Sequence, residues 1–137
     1  MTDQPDPQHT AAALGGQRFV SLTTFRRTGV AVPTPVWIAR DGDALVVLTP
    51  EESGKVKRLR NDPRVQLRPC GRTGKVAPGT EPVDGVAEIV ADAATAARLT
   101  GLFPAKYGLE YRATMLVERV AARRRKPRVL LRIRLDG

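Results

Sequence analysis

Ser53-Gly54-Lys55-Val56-Lys57-Arg58-Leu59-Arg60 sets a hydroxyl and four cations at the start of a short helical stretch. Such a group can hold an anion. The first N–H groups of a helix lack partners and carry the positive end of its dipole, so they favour negative charge. Lys55 and Arg58, three residues apart, fall on one side of that helix. Thr49 and Ser53 add hydroxyls beside them. The combination reads as a phosphate seat, with charge-assisted hydrogen bonds worth roughly 1.5–3 kcal/mol each. Lys57 and Arg60 point elsewhere, as surface charges or as contacts to a more distant anionic tail. The competing reading is a solvated basic helix face.

Composition narrows the partner. The chain has 137 residues, one domain's worth, and a formal net charge of +9. Nucleic acid, an anionic membrane face or a polyanionic small molecule would each suit that charge. Three Phe, two Tyr and one Trp leave few rings to interleave with cations, which argues against stacking on nucleic-acid bases. They also leave the core to Val, Leu, Ile and Ala. No apolar run approaches the roughly 20 residues of a membrane span. Cys70 is the sole cysteine and excludes an internal disulfide or a multi-cysteine metal site. His9, the sole histidine, lies among Pro, Gln and Asp, and no metal site is expected. Asp3 and Asp6, without an apolar stretch, do not make a secretory leader. The expectation is a soluble cytoplasmic protein.

The elements that must position the seat follow from pattern. Residues 1–15 read as a disordered tail and 16–137 as one domain. Phe19 to Phe25 is β-branched and aromatic, a strand. Val30 to Thr49 reads as a hairpin turning at Asp41-Gly42-Asp43. Pro33 and Pro35 in its first arm mark an edge or a bulge. Ala44 to Thr49 is nearly all apolar and reads as a central strand. A helix over 53–61 ends before Pro63, and 64–70 alternates as a half-buried strand. Gly71 to Gly79 is a loop, and Val83 to Val90 a strand with Gly85 as a candidate bulge. Asp92 caps a helix that runs toward Tyr107 or breaks at Pro104, with Gly108 as its stop. Met115 to Ala121 and Val129 to Leu135 read as late strands, joined by a basic hairpin tip at Arg123 to Lys126. Six or seven antiparallel strands with two or three helices favour a small barrel.

Thr23-Thr24-Phe25-Arg26-Arg27-Thr28-Gly29, Thr34-Pro35-Val36-Trp37 and Gly54-Lys55-Val56-Lys57-Arg58-Leu59-Arg60-Asn61-Asp62-Pro63-Arg64-Val65 occur in that order. Together they resemble the pyridoxamine-phosphate-oxidase-like split β-barrel flavoproteins, and within them the deazaflavin (coenzyme F420)-dependent reductases. Pro69-Cys70, Gly85-Val86-Ala87 and Lys106-Tyr107-Gly108-Leu109 also fit that pattern. The resemblance implies a homodimer with F420 or FMN at the subunit interface. It implies that Thr34, Pro35, Val36 and Trp37 line the cofactor ring, with Thr24 bonding the ring edge. Pro35 also opens a gap in the ladder by removing an N–H. The alternative for Trp37 is a place in the core.

Arg26, Arg27, Arg68 and Arg72 would line a groove for the oligoglutamate tail of F420, which FMN lacks. No Ser/His/Asp, Cys/His or paired-carboxylate set is visible, which suits an enzyme whose cofactor does the hydride chemistry. Tyr107 and Tyr111 read as packing residues before proton donors. The expected reaction is hydride transfer from reduced F420 to an electron-poor alkene, imine or quinone-type substrate. The alternatives are an FMN-dependent oxidase or reductase of the same fold, or a protein that stores the cofactor without catalysis.

Overall fold

The computed structural model describes residues 7–121 and 128–136. Its elements are α1 (Pro7–Gly15), β1 (Val20–Phe25), β2 (Ala31–Val36), β3 (Ala39–Asp41), β4 (Ala44–Pro50), α2 (Gly54–Asn61) and β5 (Arg64–Pro69). They continue with β6 (Val83–Ile89), α3 (Ala93–Thr100), α4 (Leu102–Tyr107), α5 (Leu109–Ala121) and β7 (Arg128–Leu135). The strands form one antiparallel sheet in the order β2-β1-β5-β6-β7-β4-β3.

The two edge strands of that sheet, β2 and β3, are consecutive in the chain and separated only by Trp37 and Ile38. Three residue steps reach at most about 11 Å. A flat sheet of seven strands would hold its edges roughly 29 Å apart. The sheet must therefore curl until its edges meet, and a split barrel results. Its interior holds Val20, Leu22, Leu45, Val47, Val65, Leu67, Leu131 and Ile133, with Leu59 of α2 and Ala11 and Leu14 of α1 packed into the same cluster. A second cluster, Val46, Ala39 and Leu130 against Leu99, Phe103 and Tyr107, binds α3 and α4 to the outer face. Burial on both faces explains the continuous apolar run of β4.

At the seam, Ile38 N–H donates to the Tyr107 hydroxyl at 3.0 Å, and that hydroxyl donates to the Arg18 carbonyl at 2.7 Å. The Lys106 ammonium donates to the carbonyls of Gly15 at 2.8 Å, Gln17 at 2.5 Å and Ile38 at 2.6 Å. One lysine thus ties the end of α1, the approach to β1 and the seam peptide together. Trp37 stacks on Tyr107 with centroids 4.6 Å apart. Burial lowers the Lys106 pKa, with Arg18 adding to the effect, and burial raises that of Tyr107.

Several expectations are corrected. The supposed tail is helical from Pro7, and Ala11 and Leu14 are buried; the three alanines and a leucine outweigh the polar residues before them. Residues 1–6 and the basic tip at 123–126 lie outside the described residues. The expected strand at Met115–Ala121 is instead part of α5. Its β-branched residues misled, because helix continuity after Gly108 outweighs local β propensity. The single arm Val30–Ala39 divides, β2 pairing with β1 and β3 with β4. The described residues form five helices where two or three were expected.

The helix after Asp92 breaks at Gly101, between α3 and α4, and Gly108 at φ +55° ends α4. Gly85 stays in register with Val65 and Leu135 and forms no bulge. A Cβ there would lie 2.8 Å from the Arg134 carbonyl, so close backbone approach requires the glycine. Strand β4 is second from an edge rather than central. Pro33 and Pro35 do fall on an edge strand, where a missing N–H costs least.

Lys106→Met removes the donor from three carbonyls. It is expected to cost roughly 2–4 kcal/mol, read as a lower urea midpoint at unchanged slope. A pH dependence follows from Asp41, which Arg98 contacts at 3.1 and 3.3 Å and Arg132 at 3.3 Å. The Arg98 hydrogen bonds, chiefly, hold its carboxyl below the ordinary carboxylate range. The stability it contributes is complete above its unfolded value near about pH 4 and is lost as pH falls through its lower folded value. Asp41→Asn should flatten the acid limb of a stability-against-pH curve.

Candidate anion-binding site

Thr49 is buried at the end of β4. The chain turns through Pro50 to Glu52, and Ser53 caps α2 with its hydroxyl accepting from Val56 N–H at 3.4 Å. The Thr49 and Ser53 hydroxyl oxygens lie 3.4 Å apart. Val56 and Leu59, three residues apart, bury the inner face of α2. That anchoring leaves Lys55 and Arg58 half-buried at its flank and turns Lys57 and Arg60 outward to solvent.

Arg58 does not extend into water. Its Nε donates to the fully buried Thr24 hydroxyl on β1 at 2.6 Å. Its Nη1 folds back over the first turn of α2, 2.8 Å from where a Cβ on Gly54 would stand. Burial lowers the Lys55 pKa and the Arg58 charge lowers it further. Burial also lowers that of Arg58, with Arg26 adding to it. Three cations thus repel one another here, and among the described residues none has a carboxylate partner. Other arginines are paired: Arg18 and Arg72 with Glu110, Arg64 with Asp62, Arg98 and Arg132 with Asp41. Beside the cluster opens a cleft of about 260 Å³ lined by Phe25, Arg26, Arg27, Lys57, Arg58 and Asn61.

Thr24, Thr49, Ser53, Lys55 and Arg58 therefore gather around α2, with Arg26 next to them. Arg68 and Arg72 do not join that cleft: Arg68 donates to the Thr80 carbonyl at 3.2 Å and Arg72 pairs with Glu110 at 3.2 Å. Thr34 and Pro35 lie on edge strand β2, opposite Leu22 and Ser21. Val36 packs into the barrel interior, and the Trp37 ring lies between Tyr107 and Tyr111 in the outer cluster. The sequence reading missed the Thr24–Arg58 bond and the space above Gly54. The one available signal was a glycine at the head of a helix, four residues before an arginine. Among the described residues no helix is long and apolar enough to cross a membrane.

The profile of the pyridoxamine 5'-phosphate oxidase family matches residues 7–137. The chain belongs to this family. No curated protein matches it. Among solved structures, a conserved hypothetical protein from Mycobacterium tuberculosis is 24% identical, with 98% of this chain and 82% of that one covered at a TM-score of 0.68. An FAD-binding protein from Mesorhizobium loti is 17% identical, with 97% and 90% covered at a TM-score of 0.64. A protein described as an F420 reductase is 20% identical, with 98% and 97% covered at a TM-score of 0.59. The curled seven-stranded sheet is the split β-barrel of this family.

A cluster of unpaired cations works against the fold that carries it. Lys55→Met should therefore stabilise the ligand-free protein at low salt by up to about 1 kcal/mol, read as a higher urea midpoint. The gain should shrink as salt screens the cluster.

Proposed function

We propose that this chain is a reductase that uses coenzyme F420. In this reading Lys55, Arg58, Ser53 and Thr49 hold the cofactor phosphate. The observation that carries it is the grouping of Lys55, Arg58 and Arg26, none of them ion-paired among the described residues, beside a capped helix start. The donor set fits: an ammonium, a guanidinium with its terminal nitrogens uncommitted to Thr24, and two hydroxyls. The cleft beyond Arg58, with Arg26, Arg27 and Lys57, continues the positive surface past the phosphate and suits an anionic tail. FMN would leave that cleft without a counter-charge.

When bound, the deazaflavin supplies hydride chemistry for an electron-poor alkene, imine or quinone-type substrate. The protein's part is to seat the phosphate and orient the ring. The backbone of Thr34 to Trp37 lines that ring in this reading, since the Val36 and Trp37 side chains are engaged in packing. Tyr107 holds the Ile38 peptide and its raised pKa keeps it neutral, so it acts in packing. Proximity of ring and substrate then lowers the barrier. The protein works as a cytoplasmic homodimer in this account.

The test is a fluorescence titration of the purified protein with F420, FMN and duplex DNA. F420 should bind, and Lys55→Ala should weaken it by roughly 1.5–3 kcal/mol, tenfold or more. Preferential FMN binding would transfer the reading to the FMN-dependent alternative. F420 binding without turnover of any quinone-type acceptor would make the protein a cofactor store. Tight DNA binding with neither cofactor bound would overturn the proposal.

A further inference from the structure

We infer that Thr24 and Gly54 are positioning residues for Arg58, holding its guanidinium over the start of α2 without neutralising it. The inference rests on the reading of this cluster as a phosphate seat, and it adds how the seat is kept both ordered and charged. The guanidinium is a planar fork, so fixing Nε fixes the direction of both terminal nitrogens. Nε is fixed by the Thr24 hydroxyl at 2.6 Å, on a strand whose two neighbours hold it in register. Thr24 itself is fully buried, so the anchor does not move with solvent.

The choice of anchor matters. The paired arginines elsewhere lean on Glu110, Asp62 and Asp41, whose carboxylates offset part or all of their charge. A threonine hydroxyl orients Arg58 and leaves its charge for a ligand. Without that bond, repulsion from Arg26 and Lys55 would drive the side chain outward.

Gly54 supplies the space. The positive-φ glycines are Gly29, Gly42, Gly74, Gly79 and Gly108, so the backbone does not demand a glycine at Gly54. Helices disfavour glycine relative to alanine. What a side chain would meet there is Arg58: Nη1 at 2.8 Å, Cζ at 3.5 Å and Nη2 at 3.6 Å. The obstruction is the free end of a flexible side chain, so an added methyl would displace the fork rather than the backbone.

The experiment measures inorganic pyrophosphate binding by calorimetry at constant ionic strength, with urea unfolding in parallel. Gly54→Ala should keep or raise the urea midpoint yet weaken pyrophosphate about five- to twentyfold. Thr24→Val should weaken it similarly, and Thr24→Ser should restore it. In an Arg58→Ala background, Gly54→Ala should have no further effect, because it acts through Arg58. Wild-type affinity in Gly54→Ala, or an undiminished loss in the Arg58→Ala background, would overturn the positioning role while leaving the seat intact. No saturable binding by the wild-type protein would overturn the seat itself and the inference with it. Should Thr24→Val fail to fold, the Gly54 series decides alone.

Discussion

The barrel depends on one peptide. Ile38 lies where the two edges of the sheet are joined by two residues, and no strand passes close enough to satisfy its backbone in a ladder. Tyr107 accepts from its N–H and Lys106 donates to its C=O. A buried peptide left without partners is costly, so these two side chains stand in for a missing strand. The same lysine holds the carbonyls of Gly15 and Gln17, which sets α1 against the barrel. The stacked rings of Trp37 and Tyr107 then shield the seam. The same few hydrogen bonds thus tie the closed seam to the N-terminal helix and to the outer helical layer.

Charge is distributed in two ways over this molecule. Glu110 and Asp41 each gather two arginines and tie distant elements: the approach to β1 and the 71–79 loop to α5, and the β3–β4 hairpin to α3 and β7. Around α2 the arrangement is the opposite. Lys55, Arg58 and Arg26 share a neighbourhood with hydroxyls in place of carboxylates. Like charges held together lower stability, and here no carboxylate among the described residues offsets them. The excess of +9 is therefore not a uniform coating; part of it is braced and part is left open.

The family membership rests on the whole matched chain, and the local geometry at the start of α2 is a separate observation. Neighbours of the same fold are described as an FAD-binding protein and an F420 reductase. Each name speaks for its own protein. What belongs to this chain is the serine cap, the folded-back arginine and the glycine beneath it.

Much of this was legible in the residues. The strand composition of β1, the Asp41-Gly42 turn, the Asp92 cap and the stop at Gly108 are local features, and short-range sterics and hydrogen bonding dictate them. The grouping of cations at 55 and 58 follows from helical spacing alone. The sequence did not disclose that Leu109 to Ala121 is one helix, that Gly85 faces a backbone oxygen, or that Trp37 belongs to a ring stack. Nor did it show that Thr24 meets Arg58 or that Lys106 spans three carbonyls. Each of those depends on segments 34 to 91 residues apart in the chain, or on competition between neighbouring elements. Local spacing determined which groups were available to bind an anion. Only closure of the barrel decided which arginine would be held, by what, and with its charge intact.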